Sequence, residues 1–168
     1  MSQRHPNVLH VESADVRPMN KGRHNMQLRR LGGPAGSKAL GAVHTTLAPG
    51  SLSFPLHAHM GNEEGIYVLS GTGVARIGEA KVAVGPGDWL SFPAGAEYAH
   101  QMINDGTVPL VYLCVSTMNM PDVVSYPDSG KVMATAADSS SPLGFRRVGL
   151  FREKDKIEDY WDGEPHAK

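Results

Sequence analysis

Two histidines, His57 and His59, stand one residue apart, and two carboxylates, Glu63 and Glu64, follow within a few positions. Imidazole nitrogen and carboxylate oxygen are the side-chain donors that first-row metal ions take up most readily. A His-x-His pair is a poor helix signal, because residues two apart on a helix do not face each other. On a β-strand positions i and i+2 share a face, so His57 and His59 look into one space. After Glu64 come the strand formers Ile66, Tyr67, Val68 and Leu69, closed by Ser70 and Gly71. Two imidazoles and a carboxylate on neighbouring strands make the inner half of a metal site. His100 is the candidate for a further ligand from downstream.

The elements that must hold these residues read as β throughout. Strands are expected at 39–47, 52–57, 65–70, 73–77, 81–84, 88–92, 99–103 and 110–116. Turn signals separate them: Pro49-Gly50, Gly71-Thr72-Gly73, Gly78-Glu79, Gly85-Pro86-Gly87, Pro93-Ala94-Gly95 and Asn104-Asp105-Gly106. Short strands spaced about ten residues apart argue for a sandwich or barrel. Residues 1–38 read as an N-terminal arm, with one short strand at 8–11 and no periodicity from 23 to 38. Its histidines, His5, His10 and His24, read as solvated surface residues. Residues 118–168 form a C-terminal extension. Strands are expected there at 123–126 and 145–151, with a small, polar, flexible loop at 134–142. Tyr160 and Trp161, set between acids, read as docking residues on this subunit or a partner.

Composition narrows the function classes. A chain of 168 residues supports one domain with a proper core. A net charge of -1 supplies no basic field for a phosphate backbone, so nucleic acid is not an expected partner. The counts of Gly (19) and Pro (12) fit many turns between short strands. Cys114 is the single cysteine, which excludes an intrachain disulfide and a Cys-x-x-Cys zinc site. On a core strand it reads as buried and inert. The first twenty residues carry Arg4, Glu12, Asp15 and Arg17 with no apolar stretch, and no apolar run approaches a membrane span. The expectation is a cytoplasmic protein without membrane contact. Gly71-Thr72-Gly73 is a hairpin turn rather than a dinucleotide fingerprint, because no helix follows it.

The arrangement from Gly50 to Gly71, with His57, His59, a glutamate and the closing Gly, resembles the first motif of the cupin superfamily. In that pattern six residues separate the metal-binding glutamate from the closing Gly. The resemblance therefore selects Glu64 and turns Glu63 outward. Gly87 through Pro93 and Gly95 resembles the second motif. There the usual histidine falls on Tyr98, and His100 stands two residues later, with Asn104 at the family's interval beyond it. An insertion of two preserves the facing of a strand, so His100 still reaches inward. Residues 39–48, Asn62-Glu63-Glu64 and 99–104 resemble small single-domain cupins of type 2. Those are known as conserved proteins with a double-stranded β-helix domain and no assigned function. Ser116-Thr117-Met118, residues 126–131 and residues 160–163 resemble the tail of the same group.

The resemblance implies an all-β fold, a double-stranded β-helix (jelly-roll or cupin barrel) over 39–117, flanked by the arm and the extension. It implies one divalent metal ion (Fe, Mn, Ni, Zn or Cu) held by His57, His59, Glu64 and His100, and a homodimer. Strand parity gives Ile66 and Val68 the facing of Glu64, and Met102 that of His100, so these three are expected to line the cavity, with Phe54 at its entrance. Tyr98 has two readings: a catalytic proton donor at the cavity mouth, or a structural cap of its turn. No convergent Lys/Arg cluster accompanies these residues in sequence, which disfavours a phosphorylated sugar. The expected partner is a small oxygen-bearing organic molecule (carboxylate, keto or phenolic), acted on by a metal-dependent dioxygenase or isomerase. The alternatives are a non-catalytic small-ligand binding or sensor cupin, and a metal that serves stability alone.

Overall fold

The computed structural model describes residues 4–141, 144–152 and 154. Thirteen strands are formed among them: β1 (Val16–Lys21), β2 (His24–Arg30), β3 (Leu40–Leu47), β4 (Ala58–His59), β5 (Glu64–Ser70), β6 (Gly73–Ile77), β7 (Ala80–Val84), β8 (Trp89–Phe92), β9 (His100–Ile103), β10 (Leu110–Thr117), β11 (Asp122–Tyr126), β12 (Lys131–Ala137) and β13 (Phe145–Arg152). They pair into a six-stranded sheet β1-β2-β3-β10-β5-β8, a three-stranded sheet β7-β6-β9 and a four-stranded sheet β13-β12-β11-β4. This is the double-stranded β-helix expected from the sequence.

Alternation builds the core. On β5, Ile66 and Val68 are buried while Tyr67 and Leu69 are exposed, as a strand with one dry face requires. Ile66 and Val68 meet Leu47, Phe92, Met102 and Leu110 in one cluster. Each such burial contributes roughly 1.5–3 kcal/mol, so this cluster holds the sheets together.

Three expectations need correcting. The N-terminal segment is more than an arm, since β1 and β2 form a hairpin that extends the six-stranded sheet onto β3. Its polar sequence hides the alternation, and only Met26 is deeply buried. Gly22, at φ 56, opens the two-residue turn between them. The short strand expected at 8–11 is absent; Val11–Ser13 is a 3-10 turn. The expected loop from 134 begins as strand, because Ala134–Ala137 belong to β12 and pair with β13. The Tyr160-Trp161 pair lies outside the described residues.

The expected strand at 52–57 is broken, and the break matters for the site. Ser53 donates to the Met102 carbonyl (2.9 Å), whereas His57 exchanges two backbone hydrogen bonds with His100 (3.2 and 2.8 Å). Three residues lie between Ser53 and His57 but one between Met102 and His100, so two extra residues bulge out around Pro55. Pro55 has no N–H to give to a ladder, which is why the strand breaks there. An offset of two keeps side chains on their original face.

Candidate metal centre

The backbone bridge between His57 and His100 joins the three-stranded sheet to the segment that becomes β4. Directly opposed residues of an antiparallel pair point to the same side. His57, His59 and His100 therefore face one space, with ring centroids 5.3 Å apart for His57 and His59 and 4.8 Å for His57 and His100. Glu64, the first residue of β5, enters from the six-stranded sheet. Its Oε2 lies 3.8 Å from Nε2 of His57, 3.8 Å from Nε2 of His59 and 3.0 Å from Nε2 of His100.

All three rings are oriented from behind. Nδ1 of His57 lies 2.9 Å from the Pro55 carbonyl, Nδ1 of His100 lies 3.1 Å from the Tyr98 carbonyl, and Nδ1 of His59 lies 2.6 Å from Asp122 Oδ2. An Nδ1–H donated to such an oxygen leaves the Nε2 lone pair of His57 and His59 free and aimed at the centre, while His100 Nε2 is hydrogen-bonded to Glu64. Phe92 fixes the plane of His100, stacked at 3.7 Å and 7°. The second carboxylate oxygen of Glu64 accepts from the Cys114 thiol at 3.8 Å.

The electrostatics suit a cation. Burial and then neighbouring His100 push the His57 imidazole down to about 4, against the pull of Glu64, so it is neutral at physiological pH. Burial would raise the Glu64 carboxyl, but the His100 hydrogen bond and the surrounding imidazoles outweigh it and hold Glu64 below its ordinary range. On His59, burial is overcome by the Asp122 hydrogen bond, and its pKa is raised. Burial, followed by Glu64, lifts the Cys114 thiol well above its usual value. Imidazole nitrogens around a carboxylate form a donor set for a divalent transition metal. His57, His59 and Glu64 meet the distance requirement for holding one ion, and His100 adjoins them through Glu64.

The other sequence candidates take different places. Glu63 is exposed. Phe54 is 38% exposed and lies edge-on to His57 at 6.4 Å. Ile66, Val68 and Met102 are packed in the core cluster beside the site. The Tyr98 side chain packs against that cluster, while its carbonyl orients His100. Sequence reasoning missed Asp122 and Tyr126, both supplied by β11 of the C-terminal extension. The Tyr126 ring stacks on His57 at 6.2 Å and 26°. Nothing in their spacing from His57 marks them; only the pairing of β11 with β4 brings them in.

Residues 43–116 match the family described as the cupin domain. The chain carries a cupin domain. No curated protein matches the chain. Among solved structures, this cupin is similar to a sugar phosphate isomerase of a cupin superfamily from Silicibacter pomeroyi, at 28% identity over 91% of this chain and 97% of that one, with a TM-score of 0.73. It is also similar to a provisionally named sugar phosphate isomerase from Acidithiobacillus ferrooxidans, at 26% identity over 90% and 96%, TM-score 0.75. A Thermotoga maritima protein assigned by prediction to the oxalate decarboxylases aligns at 25% identity over 67% of this cupin and 99% of itself, TM-score 0.59. Among the described residues, no helix is long and apolar enough to cross a membrane.

Proposed function

We propose that this cupin binds one divalent metal ion through His57, His59, Glu64 and His100 and isomerises a small hydroxy-carbonyl compound. The observation that carries the reading is the convergence of three Nε2 atoms on one carboxylate oxygen, with each Nδ1 already tied to an acceptor. A metal held there supplies a Lewis acid that draws electron density from a carbonyl or hydroxyl oxygen. The chain's own residues provide orientation. Asp122 and the two backbone carbonyls hold the imidazoles, and Tyr126 and Phe54 stand beside His57. The names of the two structures that align over nine-tenths of the chain favour isomerisation over oxygen chemistry.

The test is deuterium incorporation. The protein is loaded in turn with Mn, Fe, Ni, Zn and Cu and incubated with glyceraldehyde in heavy water, with oxygen uptake followed in parallel. Exchange at the carbon next to the carbonyl, lost in His57→Ala, supports the isomerase. Oxygen consumption without exchange would replace it with a dioxygenase.

One observation favours a second reading, a cupin that binds a small ligand without turnover. The groups able to move a proton near the centre are engaged: Asp122 with His59 and Gly61, and the Tyr126 hydroxyl with Met133 Sδ at 3.9 Å. Absence of both exchange and oxygen uptake with every metal, despite full loading, selects that reading.

A further inference from the structure

The four-stranded sheet carries more than His59 and Asp122 toward the centre. Opposed residues in antiparallel strands share a face. His59 opposes Val124, Val124 opposes Met133, and Met133 opposes Leu150. The face that presents His59 therefore also presents Asp122 and Tyr126 on β11, Lys131 and Thr135 on β12, and Arg152 on β13. Past the irregularity at Ala134/Thr135, Arg147 opposes Thr135 and joins the same face.

Side-chain geometry agrees with the register. Tyr126 stacks on His57, and the Lys131 ammonium lies 5.3 Å from the centre of the Tyr126 ring. Lys131 and Arg152, with Leu150 and Phe151, line an open surface groove. Among the described residues, the single acid on this face, Asp122, is committed to His59 and the Gly61 N–H. Asp128, in the turn after β11, is paired with Arg76 at 2.7 and 3.0 Å. Lys131 thus stands over Tyr126, which stacks on His57, and Arg147 and Arg152 share its face. The stretch from His57 to His100 contains no such cluster, and the sequence expectation against a phosphorylated ligand rested on that stretch. Strand pairing brings the cations in from residues 131 to 152.

We infer that Lys131, Arg147 and Arg152 form an anion subsite continuous with the metal centre. A small ligand that keeps one oxygen among His57, His59 and Glu64 rests its phosphate or second carboxylate on these cations, with Tyr126 beneath the link. The inference rests on the proposed metal centre for the ligand's other end. Guanidinium and ammonium donors around an anionic oxygen group give the strongest hydrogen bonds available to a protein surface.

The experiment titrates inorganic phosphate and, separately, succinate into the full chain at constant ionic strength, with and without zinc, following backbone amide shifts of β12 and β13. Saturable shifts are expected in the wild type, weakened about tenfold or more in Lys131→Gln/Arg147→Gln, which is the loss of two charge-assisted partners. The charge-keeping Lys131→Arg/Arg147→Lys variant is expected to stay within about threefold of wild type, which separates charge from folding damage. The tighter-binding anion identifies the ligand's terminal group. Shifts that fail to saturate, or that are unchanged in the glutamine variant, overturn the subsite. Zinc content is measured on the same samples. A chain that binds phosphate here but takes up no zinc defeats the metal-centre reading alone, and a zinc-loaded chain indifferent to both anions defeats the subsite alone.

Discussion

His59 Nδ1 and Asp122 Oδ2 lie 2.6 Å apart across 63 residues of sequence, joining a histidine of the candidate metal centre on β4 to the first residue of β11. The other carboxylate oxygen accepts from the Gly61 N–H at 2.9 Å, so Asp122 is held on both sides. Partners of this kind fix the tautomer and aim of a ligand histidine, and their loss typically weakens metal binding about 10–100-fold. Asp122→Ala is expected to lose zinc affinity by that factor in competition with a chromophoric chelator. Unchanged affinity would mean that Asp122 serves only the fold.

Asn104 is fully buried and satisfies three backbone groups at once. Its Nδ2 donates to the Leu47 and Val108 carbonyls, both at 2.9 Å, and its Oδ1 accepts from the Gly106 N–H at 3.0 Å. Leucine fills similar space but strands all three, and each unsatisfied buried group costs about 1–3 kcal/mol. Urea unfolding of Asn104→Leu should show a loss of about 2–4 kcal/mol, since some groups will find water. A loss under about 1 kcal/mol would contradict this description of the loop.

Gly71 and Gly22 both adopt positive φ, at 76° and 56°, in very different surroundings. A Cβ on Gly71 would run into the Pro109 carbonyl oxygen, whereas one on Gly22 would meet nothing within 4 Å. Gly22→Ala should cost about 1 kcal/mol, the penalty of the conformation alone. Gly71→Ala should cost clearly more, about 2–4 kcal/mol, because backbone must move. Thermal melts of the pair check the order, and equal shifts in Tm would refute it.

Cys114 donates its thiol to Glu64 inside the barrel, and burial beside that carboxylate keeps it protonated. Thiolate is the reactive form. A disulfide reagent at neutral pH should leave the native thiol untouched while modifying it at once in denaturant. Rapid modification of the folded protein would show that the thiol is neither shielded nor held protonated.

The barrel was legible because its strands alternate between dry and wet faces and its turns carry Gly and Pro. The parity of Glu64 with Ile66 and Val68 could be read the same way: Glu64 faces the histidines while Glu63 is exposed. Three things were not legible, for related reasons. The strand expected through His57 breaks at Pro55, and the carbonyl freed there orients the His57 ring. The β1–β2 hairpin is polar and shows no period to detect. Asp122, Tyr126 and Lys131 reach the neighbourhood of the centre through the register of β11 and β12, a long-range relationship that local spacing does not contain.

The central claim is that His57, His59, Glu64 and His100 hold one metal ion. The direct measurement is elemental analysis of protein purified without chelator or nickel resin, then stripped and reloaded, beside His57→Ala and His100→Ala. About one equivalent per chain is expected in the wild type, with loss in both variants while the fold is retained, as for a site whose protein ligands bind together. Metal content near zero after reloading, or content unchanged by His57→Ala, would contradict the claim.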